Sequence, residues 1–137
     1  MKKLITGILF IVLTSCGSSL ERPKSNIDYE NIKGKPIKIG NIEVAQYDFP
    51  ERMNWEDSKA ACEKLGQGWK LPSIDELDFV YTNRVVIGEF AIIPIYWSST
   101  DYRNPKYAWR QNFKNGLKSP YSKNKYKKLN VRAVRNF

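Results

Sequence analysis

The sequence predicts an α+β domain, with two helices ahead of a set of antiparallel strands, carried behind an exported and then polar N-terminal segment. Three observations carry this. Apolar residues recur at helical spacing from Asn54 to Gly66 and again after Ser73. Beyond Tyr81 the chain turns to β-branched and aromatic residues broken by an Asn-Gly pair, and after its opening apolar run the first 35 residues hold neither pattern. A length of 137 residues accommodates one domain.

The N-terminus MKKLITGILFIVLTSC sets Lys2 and Lys3 before an apolar run from Leu4 to Leu13 and small residues before Cys16, the layout of a signal peptide over residues 1–15. That run is well under the roughly 20 residues of a spanning helix, so no permanent transmembrane helix is expected. Leu13-Thr14-Ser15-Cys16 resembles the bacterial lipobox, which implies lipid attachment at Cys16; the alternative is an ordinary signal peptide with an incidental cysteine. Stable anchoring takes more than one acyl chain, and the resemblance implies several. The expected location is the bacterial cell envelope, at the outer membrane or cell surface. With Cys16 acylated, Cys62 is the one thiol left and no intramolecular disulfide is possible. Residues 16–35, rich in Ser, Asn and Lys, read as a flexible tether.

The domain is expected over residues 36–137. IKIGNIEVAQYDF alternates around Ile37, Ile39, Ile42, Val44 and Tyr47, and Gly40-Asn41 marks the turn of a short hairpin. NWEDSKAACEKLG places Trp55, Ser58, Cys62 and Leu65 on one helical face, with Asn54 as N-cap and Gly66 as stop. Ser73 and Glu76 form a capping box for a second helix whose inner face is Ile74, Leu77, Val80 and Tyr81. Pro72 disfavours helix at Leu71 and forces a corner between the two helices, with Trp69 as its wedge. VVIGEFAIIPIYWSST, YAWRQNFKNG and LNVRAVRNF read as strands, and Asn115-Gly116 as a tight turn. Trp69, Leu71 and Trp97 are expected in the core.

Several of these stretches together resemble a known family. Asn54 to Ser58 with Ala61-Cys62, Gly68 to Ser73 with Glu76-Leu77, Tyr96 to Thr100, and Val131 to Arg135 are similar, in that order, to the Legionella collagen-like protein C-terminal domain family, related to the Fibrobacter major paralogous domain. The resemblance covers residues 37–137. It implies a C-type-lectin-like variant, two helices on small twisted antiparallel sheets, and membership among bacterial surface proteins and adhesins, whose founding domain is associated with sulfated glycosaminoglycans. Many relatives carry a cysteine in the final V-R-C-V-R run where this chain has Ala133, which removes the partner Cys62 would have there.

The chain has no histidine, so the usual general base near neutral pH is missing and Ser-His and Cys-His catalysis are excluded. No enzyme activity, cofactor or metal is expected. Cys62 lies on an apolar helix face, and Asp75, Glu76 and Asp78 fit a helix start better than a calcium loop. Charge is more informative. Residues 102–137 contain eleven Lys and Arg and no Asp or Glu, whereas residues 43–101 hold eleven acids against five bases. Arg132 and Arg135 are expected to pair with the acidic helices. The segment SPYSKNKYKKLN interleaves lysine with tyrosine, a pattern that suits a polyanion, since lysines act as point charges and tyrosine faces stack on sugar rings. The candidate ligand residues are Arg110, Lys114, Lys118, Tyr121, Lys123, Lys125, Tyr126, Lys127 and Lys128. Two functions remain open: a lipid-anchored adhesin-like module for an anionic polysaccharide or glycosaminoglycan, or a structural envelope lipoprotein contacting anionic lipid, lipopolysaccharide or an acidic protein partner. Export argues against nucleic acid.

Overall fold

The computed structural model describes residues 27–137. The expected signal peptide, Cys16 and the start of the tether lie outside the described residues.

Order begins earlier than composition suggests. Helix α1 (Tyr29–Lys33) is capped by the Asp28 carboxylate, which accepts from the Glu30 and Asn31 N–H groups, and it buries Ile32. Gln46 and Tyr47 donate their N–H groups to Lys33 and Ile32 carbonyls and tie the segment to the domain. Residues 28–35 therefore belong to the fold and not to the tether. The reason they escape a sequence reading is physical: five residues with one buried apolar side chain have no period, and their order comes from bonds to residues far along the chain.

Strands β1 (Ile37–Ile39) and β2 (Ile42–Val44) form the expected hairpin, with Ile39 opposite Ile42 around Gly40-Asn41. Helix α2 (Trp55–Lys64) starts where Asn54 accepts from the Asp57 N–H at 2.9 Å, and it buries Trp55, Ser58 and Cys62. Helix α3 (Ile74–Thr82) carries the full capping box: the Glu76 N–H donates to Ser73 Oγ and the Ser73 N–H to the Glu76 carboxylate. Helix α4 (Arg84–Ile87) occupies part of a run expected to be strand. Its Val85 and Val86 are β-branched but exposed, and Gly88 and Glu89 at positive φ end the turn before an irregular stretch reaches Pro94. The strand itself starts only at Ile95.

Strands β3 (Ile95–Asp101), β4 (Tyr107–Asn112) and β5 (Lys118–Ser122) make one antiparallel sheet, and β6 (Val134–Asn136) joins β2 to complete the other, in the order β1-β2-β6. Alternation along β3 sends Tyr96 and Trp97 to opposite faces, and each anchors a separate apolar cluster. Trp97 packs with Trp55, Cys62, Trp69, Leu71 and Val131. Tyr96 packs with Val44, Leu77, Val80, Phe113 and Val134. The terminal run is covered on both sides, so Val131, Arg132, Ala133 and Val134 are all buried.

The corner between α2 and α3 fastens the two sheets. Gly66, Gln67 and Gly68 take positive φ in succession, a reversal that favours glycine at two of the three positions. Lys70 then exchanges backbone hydrogen bonds with Val134 at 2.8 and 3.0 Å, while the Ser99 N–H donates to the Pro72 carbonyl at 2.7 Å. Trp69 and Leu71 fill the space behind, each 3% exposed.

Candidate functional site

The β4–β5 hairpin builds the basic surface. Its turn is tight because Gly116, at φ +77°, lies against the Tyr81 ring, where a Cβ would approach to 2.7 Å. Counting back from that turn, Tyr107 pairs with Ser122, and the Lys123 N–H donates to the Lys106 carbonyl at 2.9 Å. Lys106, Ser122, Lys123 and Asn124 line a cleft of about 320 Å³ at this end of the hairpin.

Residues 123–128 form a closed loop. Asn124 holds it from within, its side chain accepting from the Tyr126 N–H and its carbonyl from the Lys127 N–H. Leu129 closes it, buried and paired both ways with Met53 at 3.0 Å. Lys125, Tyr126, Lys127 and Lys128 are exposed on this fixed turn. The neighbouring segment is acidic, since Met53 and Asn54 meet the loop and the exposed Glu51, Glu56 and Asp57 flank them.

Ion pairs divide the candidate residues. Lys118 pairs with Asp78 at 3.0 Å, and Gln111 donates to the same carboxylate at 2.7 Å; together they hold the Asp78 carboxyl below its ordinary value. Lys123 pairs with Asp101 and lies over the Trp55 ring at 3.9 Å, with Lys59 at 4.3 Å from the same ring. Both lysines are engaged inside the domain. Lys114 sits at the far turn, a five-residue strand or roughly 17 Å from the loop. Tyr121 is not an open platform, because its ring meets Trp97 at 5.6 Å and carries the Arg110 guanidinium at 4.0 Å. Tyr126 is 76% exposed, with the Lys125 ammonium 5.0 Å from its ring centroid. Arg110, Lys125, Lys127 and Lys128 have no carboxylate partner among the described residues. Lys106 joins them, a residue the composition alone does not single out; register counted from Asn115-Gly116 would have placed it opposite Lys123.

The remaining charges are structural. Arg132 and Arg135 pair with Asp48 and Glu43, on and just after β2, and not with the helices as expected. Sequence spacing gives no hint of this, because β6 reaches β2 only through the sheet. Burial raises the Asp48 carboxyl above its ordinary value despite Arg132 beside it, and burial with the Asp48 charge raises the Tyr96 hydroxyl. Burial also pushes the Cys62 thiol up, with the Glu63 charge adding to it, which disfavours the thiolate. Among the described residues no three Cys, Asp or Glu side chains converge where a metal ion would be held.

The Lcl C-terminal domain family matches residues 30–135, a span that takes in most of α1, strands β1 to β5 and all but the last residue of β6. The chain belongs to the Lcl C-terminal domain family. Its fold is C-type-lectin-like. A crystal structure of botrocetin superimposes with a TM-score of 0.53 at 13% identity over 76% of this chain and 98% of that one. Botrocetin in complex with a von Willebrand factor A1 domain mutant gives 0.52 at 12% identity, over the same shares of the two chains. No curated protein matches the chain. This Lcl C-terminal domain thus carries Lys106, Arg110, Lys125, Lys127 and Lys128 on the β4–β5 hairpin and the loop after it.

Proposed function

We propose that this Lcl C-terminal domain is a non-catalytic binding module for an anionic, sulfated glycan, displayed on the bacterial cell envelope by a lipid on Cys16. The observation that carries the reading is that Lys106, Arg110, Lys125, Lys127 and Lys128 lie on the β4–β5 hairpin and the loop after it, all without a carboxylate partner among the described residues. Cations held on an anchored loop meet a polyanion with little ordering cost, and the exposed Tyr126 offers a face to a sugar ring. The absence of histidine and the raised thiol of Cys62 support a binding role over a catalytic one.

The test uses the full chain in detergent and immobilised heparin. Binding is expected to weaken steeply as salt rises toward physiological strength, where the Debye length is about 8 Å. Replacing Lys125, Lys127 and Lys128 by glutamine is expected to abolish it with the melting midpoint unchanged, because exposed loop substitutions usually stay within about 0.5 kcal/mol. Undiminished binding by that variant would place the site elsewhere. An acidic protein partner is the second reading, favoured by the A1 domain–botrocetin complex among structures of this fold; no heparin binding by the wild type at low salt would favour it.

A further inference from the structure

Two arginines of this domain are held in opposite ways. Arg132 is held at all three nitrogens: Nε donates to Asp48, Nη1 to the Ala45 and Gln46 carbonyls, and Nη2 to the Glu89 carbonyl. Arg110 is held from behind only. Its Nε donates to Ser119 Oγ at 3.1 Å and its central carbon lies 4.0 Å from the centroid of the Tyr121 ring, while Nη1 and Nη2 have no partner among the described residues. These two nitrogens reach solvent, because among the described residues Gln111 Oε1 is the buried side-chain polar atom left unpartnered. A second cation approaches the same ring: the Lys127 ammonium lies 6.0 Å from the Tyr121 centroid, and the Arg110 guanidinium 4.0 Å. The two charges are thus within about 10 Å of each other, near enough to repel, and no carboxylate pairs with either.

We infer that Arg110 is the fixed fork of the glycan site: its Nη1 and Nη2 grip two oxygens of one sulfate or carboxylate group, Lys127 supplies the second charge, and Ser119 and Tyr121 are positioning residues. The inference rests on the glycan-binding reading and adds to it which cation sets the register of the ligand. A guanidinium already held at Nε and set over a ring gives up little freedom on binding, and its planar geometry matches paired oxygens that a lysine meets only as a point charge. The loop lysines then provide attraction, and Arg110 provides orientation. A sulfate and a carboxylate present the same pair of oxygens, so the oxyanion is a question for competition.

The experiment compares the wild-type full chain with Arg110→Lys and Ser119→Ala on immobilised heparin across a salt series. Arg110→Lys keeps the charge and removes the fork, so affinity is expected to fall about tenfold, the worth of one charge-assisted pair, with the slope of log affinity against log salt unchanged. Ser119→Ala, which frees Nε, is expected to cost about threefold. Displacement by dextran sulfate or by polygalacturonate, in either case weaker for Arg110→Lys than for the wild type, supports the fork and names its oxyanion. Heparin affinity of Arg110→Lys equal to the wild type overturns the inference alone. If Arg110→Lys lowers the melting midpoint, Ser119→Ala decides, and unchanged affinity there overturns it. A wild-type chain that does not bind heparin at all overturns the glycan reading and this inference together.

Discussion

Arg132, 1% exposed, brings a guanidinium into the interior between the residues after β2 and the stretch before β3. The cost of moving that charge out of water is offset by Asp48 at 2.6 Å, by three carbonyls, and by the face of Phe90 at 4.4 Å. Asp48 accepts in turn from the Tyr96 hydroxyl at 2.6 Å, and Tyr96 accepts from the Ala91 N–H at 2.9 Å. One side chain therefore pins three separate stretches of chain. Arg132→Ala leaves the half-buried Asp48 without its cation, and a loss of up to about 3 kcal/mol is expected in denaturant unfolding. Coupling Arg132→Met with Asp48→Asn removes both charges and is expected to recover part of that loss. If the single and double variants unfold alike, the pair is not what holds Arg132 in place.

At the level of elements, the start of α3 is the clearest case of local chemistry setting structure. Burial disfavours the Glu76 carboxylate, yet the Ser73 N–H and the Lys70 ammonium at 3.1 Å hold its carboxyl below the ordinary value of 4.5. A carboxyl lowered by folding contributes stability above its unfolded value and loses that contribution as pH falls through its folded one. Glu76→Gln is therefore expected to melt below the wild type at neutral pH, with the gap closing as pH falls below about 4.5; a gap that stays constant with pH would show that the cap acts without charge. This cap, the inner face of α3, the Pro72 corner and the Asn115-Gly116 turn were all legible in the sequence, because each is decided by residues within a few positions of one another. Helix α1 and helix α4 were not: Ile32 is ordered by contacts with Gln46 and Tyr47, and the β-branched Val85 and Val86 yield to the turn that Gly88 ends. The basic residues were legible as a set, and their division was not. Asp78 and Asp101 claim Lys118 and Lys123 across 40 and 22 positions, and Tyr121 turns from a platform into the ring that orients Arg110.

Across the whole molecule, the two sheets are tied at the corner by Lys70 to Val134 and Pro72 to Ser99, and again where Asn130 exchanges backbone hydrogen bonds with Ile95 and Trp97. Display of the domain on the envelope, as proposed, depends on Cys16. Cys16→Ser is expected to release the protein from the membrane fraction or leave it unprocessed, read by fractionation and blotting; a serine variant that fractionates and matures normally would remove Cys16 from the account. Cys62 has a different consequence. It is enclosed between α2 and the Trp97 cluster, it is free, and its sulfur is hard to ionise, so among the described residues no bond of the fold changes when a reductant arrives. The described residues hold this one enclosed thiol, so the melting midpoint of the domain is expected to be the same with and without a reductant.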